Sequence, residues 1–190
     1  MLESRPEALM ECLQALTETE QGQRRSASGD PAGALSLLRR AHARFETIRE
    51  ARPLLGIVKA DLAAAYGNLQ ASDKAISYAE DSIAIVAGVQ RLEFTEASAR
   101  MTLGNSLGLL GKRHQSEEQY RIAEAILKGR PGSANYLQML DSNRKQVLDF
   151  ATKRVADHPE ARYARLRRNF PVVAILAAVV AIAYFAWWGL

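Results

Sequence analysis

The chain is short of residues that would lock a fold from within. It has one cysteine, Cys12, among 190 residues, which excludes an internal disulfide framework. Glycine (12) and proline (6) are too few for a low-complexity or collagen-like polymer. Runs of β-branched residues are missing before residue 170, and no stretch alternates apolar and polar residues as a half-buried strand does. That excludes a βαβ succession. The opening segment, MLESRPEALMECLQALTETE, lacks a basic stretch followed by an apolar core, so no secretory signal is expected. Its acidic residues also depart from transit-peptide composition. What is plentiful is alanine and leucine, both strong helix formers.

Charge is missing altogether from Phe170 to Leu190, FPVVAILAAVVAIAYFAWWGL. A helix of that length spans about 30 Å, the hydrocarbon thickness of a bilayer. Pro171 suits its first turn. Residues 170–190 are therefore expected to form one transmembrane helix, in contact with the lipid bilayer. Arg162, Arg165, Arg167 and Arg168 lie before the span and Tyr184, Trp187 and Trp188 at its end, the residue types that favour the membrane interface. Arginines on the entry side place the preceding domain on the cytoplasmic face. The formal net charge of +4 is concentrated here. Residues 144–168 hold eight Lys and Arg against three Asp and Glu, a net of +5, whereas the rest, with 17 against 18, nets −1. Basic residues beside a span are drawn to anionic headgroups by about 1 kcal/mol each. Nucleic-acid binding is not expected, because aromatic interleaving and recognition motifs are missing.

The remainder reads as helices. Asp30-Pro31 is an N-cap followed by a first-turn proline, and Ser4 with Glu7 has capping-box spacing. Leu35, Leu38, Ala41, Phe45 and Ile48 recur at helical steps. Helices are expected near 4–26, 31–52, 54–69, 72–88, 92–111, 115–129 and 133–157, then from Glu160 into the span. Arg52-Pro53 reads as the end of the second, and Ser72 as a cap of the fourth. A period then emerges. Ala34, Ala75 and Ser116 are 41 residues apart, as are Ala41, Ser82 and Ala123; Gly22, Ala63 and Gly104; and Gly29, Gln70 and Gly111. Small residues at fixed places mark where two helices of a pair cross closely.

The segment LGNSLGLLGKRHQSEEQYRIAEAILKGRP resembles a tetratricopeptide repeat (TPR). It carries Leu103-Gly104, Gly111, Ser116, Tyr120, Ala123 and Pro131. The second copy has Leu62, Ala63, Tyr66, Ala75 and Ser82 but Gln70 where a glycine is usual. The first keeps Gly22, Gly29, Ala34 and Ala41. The early tryptophan is missing from all three copies, and the period exceeds the usual 34 by about two helical turns. The resemblance implies an all-α fold. Three antiparallel helix pairs would form a TPR-like superhelix over residues 1–132, with a capping helix at 133–158, a basic juxtamembrane segment at 159–169 and the span at 170–190.

No catalytic or metal constellation is evident. His42, His114 and His158 lie far apart without a second ligand at helical spacing. Cys12 sits in a helical pattern as an inert thiol. Neither a cofactor, a metal nor a small-molecule substrate is expected, and the chain is not read as an enzyme. The resemblance implies recognition by the concave face lined by the first helix of each pair. That face would present Leu16, Thr19 and Gln23, then Ile57, Ala60, Ala64 and Asn68, then Ser98, Met101, Asn105 and Leu109. Such a groove suits a helix or extended segment that buries apolar groups. Family members that clamp a terminal carboxylate use Lys, Arg and Asn here. In this chain only Asn105 matches, and Asp61 replaces an expected asparagine. The expectation is a tail-anchored adaptor, receptor or scaffold whose partners are membrane or membrane-surface proteins. The alternative is an accessory subunit of a large respiratory or ATP-synthase-type complex. A bacterial inner membrane and a mitochondrial membrane fit equally.

Overall fold

The computed structural model describes residues 4–157, with side chains from 6 to 150. The chain divides into two compact units at Leu148/Asp149. Of the second unit only the last turns of one helix are described. Among the described residues seven α-helices follow one another: α1 (Ser4–Ala27), α2 (Pro31–Glu46), α3 (Arg52–Asn68), α4 (Ser72–Val86), α5 (Glu93–Leu109), α6 (Arg113–Leu127) and α7 (Ala134–Asp157). Among the described residues no helix is long and apolar enough to cross a membrane. The span expected at 170–190, its flanking Arg162, Arg165, Arg167, Arg168, Tyr184, Trp187 and Trp188, and the capping-box side chain of Ser4 lie outside the described residues.

Helices pair as α1 with α2, α3 with α4 and α5 with α6, and each second helix also packs on the first helix of the next pair. The first helices α3 and α5 touch directly, as do α1 and α3 more lightly. The positions 41 residues apart are the crossings. Ala34, Ala75, Ser116, Ala41, Ser82 and Ala123 are all buried. At Gly104 an added Cβ would come within 3.2 Å of both the Ser116 carbonyl oxygen and the Tyr120 ring, so a side chain at the α5–α6 crossing would press its neighbours apart. Ser116 adds a hydrogen bond across it, its hydroxyl donating to the Gly104 carbonyl at 2.7 Å. Ser82 does the same to Gly56 at 2.8 Å.

The turn inside each pair repeats too. Gly29, Gln70 and Gly111 have φ of +83°, +57° and +78°. Each follows a helix and closes it with the same two bonds. Gly29 N–H donates to Ser26 and Asp30 N–H to Arg25; Gln70 to Gly67 and Ala71 to Tyr66; Gly111 to Gly108 and Lys112 to Leu107. This is a Schellman closure, in which a left-handed residue returns two orphan carbonyls to use. A side chain there costs about 1 kcal/mol, and Gln70 bears it. Gln70→Gly is therefore expected to stabilise the fold by about 1 kcal/mol. Thermal or denaturant unfolding tests this; an unchanged midpoint would show the strain to be absent.

The connection between pairs is conserved in shape between the second and third copies and again after the third. Gly88 and Gly129 have φ of +72° and +76°, and Arg91 and Gly132 have +73° and +79°. Both pairs are 41 residues apart. α7 is thus entered by the same turn that leads into α5. It occupies the place of a fourth first helix, closing the core of the third pair through Tyr136, Leu137, Leu140 and Val147. One boundary differs from the sequence expectation. α2 stops at Glu46, a short 3-10 turn covers Arg49–Ala51, and Pro53 falls in the first turn of α3. Proline there ends nothing; its missing N–H is one that a helix start leaves unpaired anyway. Asp30 caps α2 as expected, its carboxylate accepting from Gly33 N–H at 2.8 Å. Ser72, expected as the cap of the fourth helix, is instead its first residue; Ala71 holds the N-cap position and no side chain caps it.

Candidate functional site

The first helices carry the residues expected to line a groove, and the structure sorts them by register. Leu16 is exposed and Ile57 and Ser98 are partly exposed, at matching positions of the three copies. Ala64 and Asn105 are partly exposed, Gln23 is exposed at the same register, Asn68 is exposed and Leu109 partly so. The register between behaves otherwise. Thr19, Ala60 and Met101 are 7%, 5% and 2% exposed. Met101 packs with Ala97, Tyr120, Ala123, Leu127, Leu140 and Val147 in the core of the third pair. Thr19 turns its hydroxyl back to the Ala15 carbonyl at 2.7 Å. Side chains of this register are buried: Ala60 and Met101 belong to the core, and Thr19 borders the cavity between the first two pairs. Asn105 is also engaged, its side-chain oxygen accepting from the Tyr120 hydroxyl.

A cavity lies between the first two copies. It encloses about 310 Å3 and is lined by Leu16, Thr19, Glu20 and Gln23 of α1, Phe45 of α2, and Leu54, Ile57 and Val58 of α3. Of these, Leu16, Thr19, Gln23 and Ile57 belong to the groove expected from sequence. Phe45, Leu54 and Val58 were not foreseen as lining. Along α1 the apolar surface continues. Leu9, Leu13 and Leu16 are 60%, 51% and 40% exposed and fall on one helical stripe at steps of four and three.

Asp61 sits one turn beyond Ile57 on α3 and is tied to the cavity through Gln23, one of its lining residues. Its carboxylate accepts a hydrogen bond from the Gln23 amide at 2.8 Å. Burial raises its pKa to about 6, an effect the Gln23 bond only partly opposes. The nearby ionisable groups are committed elsewhere. Glu20 pairs with Arg24 at 2.6 Å, and Lys59, two residues before Asp61, reaches Asp81 at 2.6 Å. Among the described residues no cation pairs with Asp61. The sequence signal was available, since Asp61 departs from the amide expected at its register; what it lacked was the burial.

Other polar clusters tie helices together. Glu18, almost buried, accepts from Arg40 at 2.9 Å and Arg44 at 3.2 Å, bracing α1 on α2. Tyr66 and Tyr78 stack with centroids 5.5 Å apart, and Arg39 donates to the Tyr66 hydroxyl at 2.7 Å. His42 lies edge-on to Tyr78 and its pKa is lowered by burial. Cys12 is partly buried against the core.

These features describe an array of helix pairs with a lined face between its first helices. No protein-family model matches the sequence, and no curated protein matches it. Among solved structures it is similar to the crystal structure of a TPR-like protein from Chlorobium tepidum TLS, with a TM-score of 0.65 at 19% identity. The match covers 77% of this chain and 97% of that one. The fold is TPR-like.

Proposed function

We propose that the protein is a protein–protein interaction module that receives a partner segment along its first helices. A C-terminal span at 170–190 tethers it to a membrane with the repeats on the cytoplasmic side. The observation that carries the binding reading is the 310 Å3 apolar cavity between α1 and α3 on a TPR-like fold. Arrays of this kind act by recognition on the face their first helices line. The tether rests on the uncharged stretch and its basic and aromatic flanks. A short tether favours partners that are membrane or membrane-surface proteins.

Ile57 is the residue to test, because it is partly exposed and lines the cavity. Met101 is unsuitable, since a carboxylate at a core position disrupts folding. Ile57→Glu is expected to lower capture of the partner from native membranes at least tenfold, about 1.4 kcal/mol or more. Its helical circular dichroism should stay the same. Unchanged capture by a folded variant would remove the groove from the reading. For the tether, the full chain should stay with the membrane pellet in alkaline carbonate, and release into the supernatant would overturn it.

A further inference from the structure

The cavity and its surroundings specify more than an apolar guest. Three leucines of α1 extend the cavity along the helix, from Leu9 through Leu13 to Leu16, and the line continues to Gln23. From Leu9 to Gln23 this strip is about 21 Å long, some four turns of a helix laid beside it. At its far end stands Asp61, held by an amide and by no cation of the described residues. A carboxylate partly withdrawn from water without a counter-charge is unfavourable, and an arriving cation relieves it. The fold places its own cations elsewhere: Arg24 on Glu20, Lys59 on Asp81, Arg40 and Arg44 on Glu18.

We infer that the occupant of this groove is an amphipathic helix of a partner protein whose apolar stripe lies along Leu9, Leu13, Leu16 and Ile57 and whose Lys or Arg, at one end of that stripe, pairs with Asp61. The inference rests on the groove reading above and adds the partner's chemistry to it. Asp61 is its specificity-determining residue. The polarity is the reverse of a carboxylate clamp: here the array supplies the anion and the guest the cation. A partner lacking the cation leaves Asp61 covered and unpaired, which discriminates against it.

The probe is a set of four fluorescein-labelled helical peptides of about 16 residues, matched to four turns. They share a leucine stripe and differ only in Lys, Arg, Gln or Glu at its end. Binding to the full chain in zwitterionic-lipid nanodiscs is read by anisotropy. At pH 7.5 the Lys and Arg peptides are expected to bind about tenfold tighter than the Gln peptide, with Glu weakest. Asp61→Asn should erase that gap and Asp61→Lys should invert it. At pH 5 the gap should narrow in the unaltered chain, because a carboxylate of pKa about 6 is then protonated. Equal binding of all four peptides, lost together in Ile57→Glu, overturns the cation preference and leaves the groove standing. Binding that survives Ile57→Glu overturns the groove as well. Failure of all four peptides to bind overturns the helical occupant. A concentration-dependent dimer of the chain that is broken by Leu13→Glu assigns the strip to a second copy and overturns the inference.

Discussion

Tyr120→Ala is expected to cost the fold about 3–5 kcal/mol, the range for emptying a large aromatic site in a core. Tyr120 is buried where α5, α6 and α7 meet. Its ring lies against Gly104, its hydroxyl donates to Asn105 and Arg144 of α7 stands over its face at 5.7 Å from the centroid. Burial holds the phenol's pKa well above its usual range, so it is a donor at any practical pH. Alanine here leaves a cavity that backbones already in close approach cannot fill. Tyr120→Phe separates volume from hydrogen bonding. It keeps the ring and should cost only about 1 kcal/mol, the value of one hydrogen bond whose acceptor is partly solvated. Denaturant unfolding of the two variants checks both numbers. An alanine loss near that of phenylalanine would mean the third pair relaxes around the site, contrary to the tight crossing at Gly104.

The same residues show how far the sequence could be read. The helix pairs were legible because the crossings are encoded in residue size: Gly22, Ala63 and Gly104 recur at one spacing for one steric reason. The turns were legible at Gly29 and Gly111. They were half hidden at Gln70, which adopts the left-handed conformation at +57° without being glycine. Arg91, at +73°, concealed the second repeating turn in the same way. Its kinship with Gly132 is conformational, and so the reading of α7 as a fourth first helix came only from the backbone.

The groove was less legible, for a different reason. Thr19, Ala60 and Met101 share a register that the TPR resemblance assigns to the concave face, yet all three are buried. Whether that register faces solvent depends on the angle at which neighbouring first helices pack. No local periodicity carries that angle, since a helix shows the same spacing on either side of a seam. The cavity also recruits Phe45 from α2, far from the other lining residues in sequence. The residues of 158–190 lie beyond the described structure, and their reading rests on composition and flanking charge alone.

Asp61→Asn is expected to make the protein more stable at neutral pH, by about 1–3 kcal/mol. The argument is one of proton linkage. An aspartate of ordinary pKa 3.8 is raised to about 6 in the fold by burial, with the Gln23 hydrogen bond acting in the opposite direction. Between these values the folded chain keeps a proton that the unfolded chain releases. Stability therefore falls as pH rises from about 4 to about 6 and stays level above. A difference of this size corresponds to about 3 kcal/mol at the upper limit, reduced by whatever solvent reaches the group. Asparagine keeps the shape and can still accept from Gln23, but it has no charge to desolvate. The variant's advantage should be full at pH 7.5 and vanish at pH 4, as followed by urea unfolding at several pH values. Parallel pH profiles for the two proteins would show that Asp61 is already relieved within the fold. A gain in stability coupled to loss of the cation preference would have a definite meaning. Evolution then tolerates a destabilising carboxylate at the groove edge because the partner, not the fold, supplies its counter-charge, the usual form of a stability–function compromise.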